Sequence, residues 1–158
     1  MEKIKYIVIT VFLLFIFSSC GKEEEKNVIP AERVNFRINL KIDNELRAPG
    51  GYKEYVRGKH PLLEGEALGF GGLLVINSFY ATNTPDLLAY DLSCPSEALR
   101  TVLVSATSDG KAKCSKCGRI YNLMENGRVV SESSDLHLQR YIVAPTSNPD
   151  IFYITRQN

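Results

Sequence analysis

Three cysteines in two short stretches are the residues of this chain best equipped for chemistry. Cys94-Pro95-Ser96 and Cys114-Ser115-Lys116-Cys117-Gly118 flank a segment that opens with the apolar run Leu99 to Val104. Thiols gathered on two loop tips serve metal binding, disulfide formation or redox chemistry. A C-x-x-C followed by glycine forms a knuckle, whose turn aims both sulfurs and several backbone amides at one point. Thiolates are soft donors and the amides offset their charge, which suits zinc or iron. The competing reading pairs Cys94 with Cys114 or Cys117 in a disulfide and leaves one thiol over. Spacing alone leaves both open. The two histidines are the only imidazoles that could complete a zinc site. His137 lies between Leu136 and Leu138, so in a strand it points away from the apolar face into solvent. His60 precedes Pro61 in a loop and takes no role. No Ser–His–acid order, paired-carboxylate motif or phosphate-cradling loop is present, so a carrier or non-catalytic domain is expected over an enzyme.

The elements that must position these loops read as strands. Val34, Phe36, Ile38, Leu40 and Ile42 alternate with polar residues, predicting a strand with one buried face over 34–42. Asp43-Asn44 supplies a turn. From Glu45 to Gly72 glycine and proline break the pattern into loops, with one short strand around Tyr52, Tyr55 and Val56. Further strands are expected over 73–79, 87–92, 99–104, 111–113, 119–123, 138–143 and 151–155. Ser108-Asp109-Gly110 reads as a turn and Glu125-Asn126-Gly127 as a hairpin. No segment carries a helical period. Many short strands at close spacing predict an all-β sandwich or small barrel.

Residues 1–19 read as a targeting segment. Lys3 and Lys5 precede the apolar stretch Ile7 to Phe17, which is shorter than the roughly 20 residues a spanning helix needs. Phe17-Ser18-Ser19-Cys20 resembles a bacterial lipobox, with Phe17 where leucine is usual. The resemblance implies cleavage before Cys20, lipid on its thiol and amino group, and a membrane anchor in the cell envelope. Lys22-Glu23-Glu24-Glu25-Lys26 then reads as a solvated tether. It also resembles the signal that sends some outer-membrane lipoproteins to the cell surface, so periplasmic and surface display both stand. The expected organisation is signal peptide 1–19, lipidated cysteine and tether 20–32, and one β domain 33–158. Removing residues 1–19 leaves 17 basic and 17 acidic residues, and this balance gives no electrostatic basis for nucleic-acid binding.

The stretch Tyr90-Asp91-Leu92-Ser93-Cys94-Pro95-Ser96, with Cys114 to Leu123, Gly127 and Leu138-x-x-Tyr141-x-Val143, resembles a Rieske iron–sulfur domain. That family carries C-x-H and, after a gap, C-x-x-H-G, and its second iron is held by the two histidines. The resemblance covers roughly Gly71 to Arg156. It implies an antiparallel β-sandwich or barrel with a small inserted cluster-binding subdomain, a [2Fe-2S] cluster, and one-electron exchange with a redox or envelope protein partner. Ser96 stands at the first histidine position and Cys117 at the second. The implied ligand set is therefore Cys94 and Cys114 on one iron, with Cys117 and either Ser96 or water on the other. Neither replacement reproduces a neutral imidazole, so such a cluster would carry more negative charge and a lower potential. Two alternatives keep the fold without that cluster: zinc on the three cysteines and a fourth donor, or a metal-free envelope module closed by a disulfide.

Overall fold

The computed structural model describes residues 29–130 and 135–156. The signal peptide, Cys20 and tether residues 20–28 lie outside these. Eleven strands follow in order: β1 Val34–Asn39, β2 Tyr52–Val56, β3 Ala67–Leu68, β4 Gly72–Asn77, β5 Leu87–Asp91, β6 Val104–Ala106, β7 Lys111–Cys114, β8 Ile120–Asn122, β9 Arg128–Val129, β10 Arg140–Pro145 and β11 Ile151–Thr155. The described chain is all-β apart from a single 3₁₀ turn, Asn44–Arg47, at the predicted Asp43-Asn44 bend.

β1 shows how patterning becomes packing. Val34, Phe36 and Ile38 are buried on one face, with Asn35, Arg37 and Asn39 on the other. The expected continuation to Ile42 fails. The amides of Ile42 and Asp43 both donate to the Asn39 carbonyl, and the Asp43 side chain accepts from the Asn39 amide. This turn keeps Leu40 buried but leaves Ile42 72% exposed. Local hydrogen bonding overrode an apolar alternation that continued by chance.

The strands form two antiparallel sheets, one ordered β2-β4-β5-β10-β11-β1-β3 and one ordered β6-β7-β8-β9. The larger sheet curls into a nearly closed barrel, so that β1, next to one end, packs on β2 at the other. Phe36 of β1 packs on Tyr55 of β2 with ring centroids 4.7 Å apart, and His60 meets both rings edge-on. His60, unassigned from sequence, therefore helps to close one end of a barrel-like core.

β4 is buried along its whole length because it serves two cores. Leu73 and Val75 face the barrel interior, while Leu74 and Ile76 face the small sheet. That sheet is inserted between β5 and β10, the architecture the Rieske resemblance implies. Tyr90 and Leu92 join Leu74 and Ile76 against Val104, Ala112, Tyr121, Leu123 and Leu138. Each such large apolar side chain contributes about 1.5–3 kcal/mol when buried. The inserted sheet thus lacks an independent core and is held by the barrel wall.

Two further expectations are corrected. Leu99 to Val104 is not one strand: residues 95–98 and 100–101 turn, Leu99 is 48% exposed, and regular pairing starts at Val104. The amides of Glu97 and Ala98 both donate to the Cys94 carbonyl, folding the chain back at once. His137 is not solvated either. It is half-buried, pairs by backbone bridge with Arg128, and its Nδ1 is enclosed without a hydrogen-bond partner.

Candidate metal centre

The first cysteine loop is fixed at its root by a buried carboxylate. Asp91 Oδ1 accepts from the amides of Ser93 at 2.7 Å and Gly71 at 3.0 Å. Its Oδ2 accepts from the Phe70 amide at 2.8 Å and the Tyr141 hydroxyl at 2.7 Å. Four donors on one carboxylate offset part of the cost of its removal from water, and burial still holds the carboxyl above its ordinary value. The Cys94 amide then donates to the Val102 carbonyl, and the Ser93 hydroxyl to that of Leu99. The loop closes on itself with Cys94 fully buried.

The second loop is the predicted knuckle. Cys114 ends β7, its amide donating to the Arg119 carbonyl while its own carbonyl accepts from Gly118. Gly118 sits at φ +73°, and a Cβ there would meet nothing within 4 Å. Glycine is required by the left-handed backbone and not by crowding.

Packing on the barrel wall brings the two tips together. The Sγ atoms of Cys94, Cys114 and Cys117 all lie within 4.8 Å of one another, and Cys94 and Cys117 are 3.7 Å apart. All three are free thiols. Two contacts tie loop to loop around them: Lys116 pairs with Glu97, and the Arg119 guanidinium donates to the Ser96 hydroxyl. A third lies beneath, where the Tyr121 hydroxyl sits 3.3 Å from Cys94 Sγ.

These surroundings divide the thiols. Burial pushes Cys94 up to about 11, against the opposing pull of the Tyr121 hydroxyl and the amides of Glu97 and Ser96. Burial also disfavours the Cys114 thiolate, but the amides of Cys117 and Lys116 and the neighbouring thiols outweigh it. Cys114 ends below the ordinary thiol value. Of these two, Cys114 is the first to give up its proton.

The donor set decides what fits. Two thiolates on one tetrahedral ion, with bonds of about 2.3 Å, lie about 3.8 Å apart, and the Cys94–Cys117 separation is 3.7 Å. A single thiolate-bound metal therefore suits the residues. A histidine-ligated Rieske cluster does not, because among the described residues the group holds no histidine or carboxylate. His60 packs at the barrel end and His137 on β9, so neither supplies the fourth donor considered for zinc. Ser96, the remaining expected ligand, shares the first loop, but its hydroxyl accepts from Arg119.

Sequence reasoning found the three cysteines and missed their supports. Tyr121 reads from sequence as a core aromatic, which it is. Its hydroxyl contact with Cys94 follows only from the stacking of β8 under the first loop. Asp91, Glu97 and Arg119 carry no spacing signal at all.

No family model and no curated protein matches the chain. Among solved structures, one described as a "putative NADH-dependent nitrite reductase small subunit" from Mycobacterium tuberculosis superposes with a TM-score of 0.44 and 9% identity. The match covers 80% of this chain and 98% of that one. Likeness at that level carries no functional assignment.

Proposed function

We propose that this chain is a lipid-anchored envelope domain that holds a metal on Cys94, Cys114 and Cys117 and, loaded with iron, passes single electrons to a protein partner. The observation that carries this reading is the convergence of three free sulfurs, from two separate loops, within 4.8 Å. A thiolate-bound iron supplies one-electron redox chemistry, and zinc in the same place supplies structural closure. The chain's own residues bind through three sulfurs, direct amides at them and partly bury them. Cys117 is the least enclosed of the three and marks the face a redox partner would approach. The anchor rests on the lipobox-like Phe17 to Cys20, the tether on Lys22 to Lys26, and placement at the outer membrane on both.

A [2Fe-2S] cluster is the second reading, favoured by Cys94 and Cys114 standing at the family's cysteine positions. In such a cluster Cys94 and Cys117 would serve different irons, whereas their spacing is that of ligands on one metal. Ser96 would also have to exchange its bond from Arg119 for iron. A metal-free module remains the third.

Assay of metal, acid-labile sulfide and free thiol on anaerobically purified protein tests the reading. One iron or zinc per chain without sulfide supports the single-metal centre. Two irons with two sulfides would replace it with the cluster. Absence of metal after iron and zinc supplementation, with one free thiol among residues 94, 114 and 117, would overturn both.

A further inference from the structure

β5 and β10 are neighbours in the large sheet, yet their register covers only Arg140↔Tyr90 and Tyr141↔Ala89. β5 begins two residues earlier, at Leu87, and β10 runs on to Pro145, without pairing with each other. Where the ladder stops, a cleft of about 630 Å³ opens between the strands and beside the β8–β9 turn. This volume lies in the range of roughly 300–1,000 Å³ typical of small-ligand sites. None of the three cysteines lines it.

Its polar lining is arranged and incompletely satisfied. Arg140 and Arg156 both border the cleft, and among the described residues neither pairs with a carboxylate. Arg140 is oriented by a neutral partner, donating to Asn126 Oδ1 at the turn tip, where Asn126 holds φ 55°. The guanidinium is thus fixed without being neutralised. On the acceptor side, the Gln139 amide donates through Nε2 to the Arg140 carbonyl at 2.8 Å, while its Oε1 is buried with no partner. An orphaned buried acceptor is destabilising until something donates to it. Asp86 adds a carboxylate that makes no ion pair among the described residues.

We infer that this cleft binds a small organic anion that also carries a hydrogen-bond donor. The anionic group engages Arg140 and Arg156, whose planar forks match the oxygens of carboxylate and phosphate. An amine or hydroxyl of the same molecule donates to Gln139 Oε1 and Asp86. The two acceptors set the selectivity: a bare anion leaves Gln139 unsatisfied and faces the Asp86 charge, and a bare amine leaves both arginines unused.

Calorimetric titration of the protein at low salt with O-phosphoserine, 3-phosphoglycerate and inorganic phosphate tests this. The first two are expected to bind one per chain, each about tenfold or more tighter than inorganic phosphate, the worth of one charge-assisted hydrogen bond. Arg140→Gln and Arg156→Gln each weaken both by about tenfold or more, with the Lys41→Gln protein as an unaffected control. Gln139→Leu reduces the preference over inorganic phosphate to what Asp86 alone sustains, while leaving the arginine-dependent part. Circular dichroism melts establish that the variants fold. Failure of both organic anions to saturate the protein, or equal affinity in a folded Arg140→Gln/Arg156→Gln double variant, overturns the inference. Neither result depends on metal at the cysteine loops.

Discussion

The hydroxyl of Tyr121 lies 3.3 Å from the sulfur of Cys94, with both residues fully buried. A strand of the inserted sheet thereby reaches under the first cysteine loop and touches a thiol that burial keeps protonated. Burial holds the Tyr121 phenol well above its ordinary value, so it meets Cys94 as a neutral hydroxyl that can donate to the thiolate once metal binds.

Tyr121→Phe should leave the fold intact and lose that donor. A hydrogen bond to a metal-bound thiolate spreads its charge, and loss of such a supporting contact costs about 10–100-fold in metal affinity. Chelator competition for zinc should show a drop at the low end of that range. Unchanged affinity would mean that the hydroxyl serves packing alone.

Ser96→Ala tests whether serine is a ligand. With a single metal on three sulfurs, metal content should be unchanged, because the serine hydroxyl only accepts from Arg119. Cys117→Ser should abolish tight binding, and at this half-buried position it should spare the fold. Loss of metal in Ser96→Ala, measured by elemental analysis, would reinstate serine as a ligand.

Metal uptake should strengthen as pH rises. Cys94, lifted to about 11 by burial, is protonated in the metal-free protein at neutral pH. Binding must expel that proton, so the apparent affinity should gain about tenfold per pH unit for each proton released. The gain should end as pH passes the Cys94 value. Cys114, already below the ordinary thiol range, contributes less of this slope. Zinc titration in weakly coordinating buffers between pH 6 and pH 8 reads it directly, and a flat profile would contradict the assignment of Cys94 as a ligand.

Asp91→Asn should destabilise the fold more than any substitution at the tips. The amide can accept through only one oxygen, and its own NH₂ would face donors now received by the carboxylate. Leaving buried donors unmatched costs about 1–3 kcal/mol each, so urea denaturation should show a loss of about 3 kcal/mol or more. Tyr141→Phe, which removes one donor and leaves three, should cost about 1 kcal/mol.

How much of this was legible in the sequence depended on the range of the interactions involved. Alternation over Val34 to Ile38 placed β1, and Asn126-Gly127 placed the turn between β8 and β9, because both signals lie within a few residues. The knuckle at Cys114 to Gly118 was equally local. Leu99 and Ile42 misled for the same reason: one opened an apolar run and the other closed one, while hydrogen bonds to Cys94 and Asn39 had already turned the chain.

The sequence by itself determined that the chain is all-β and that three thiols sit on two loops, since strand patterning and C-x-x-C-G act over short stretches. Only the tertiary structure decided how those thiols relate. Their 4.8 Å convergence needs the inserted sheet to dock on the outer face of β4 and β5. It also needs Asp91 to pin one loop and Tyr121 to reach beneath it from another strand. Such contacts between residues 20 to 50 positions apart leave no mark in a single chain's spacing, because folding, and not sequence proximity, makes them neighbours.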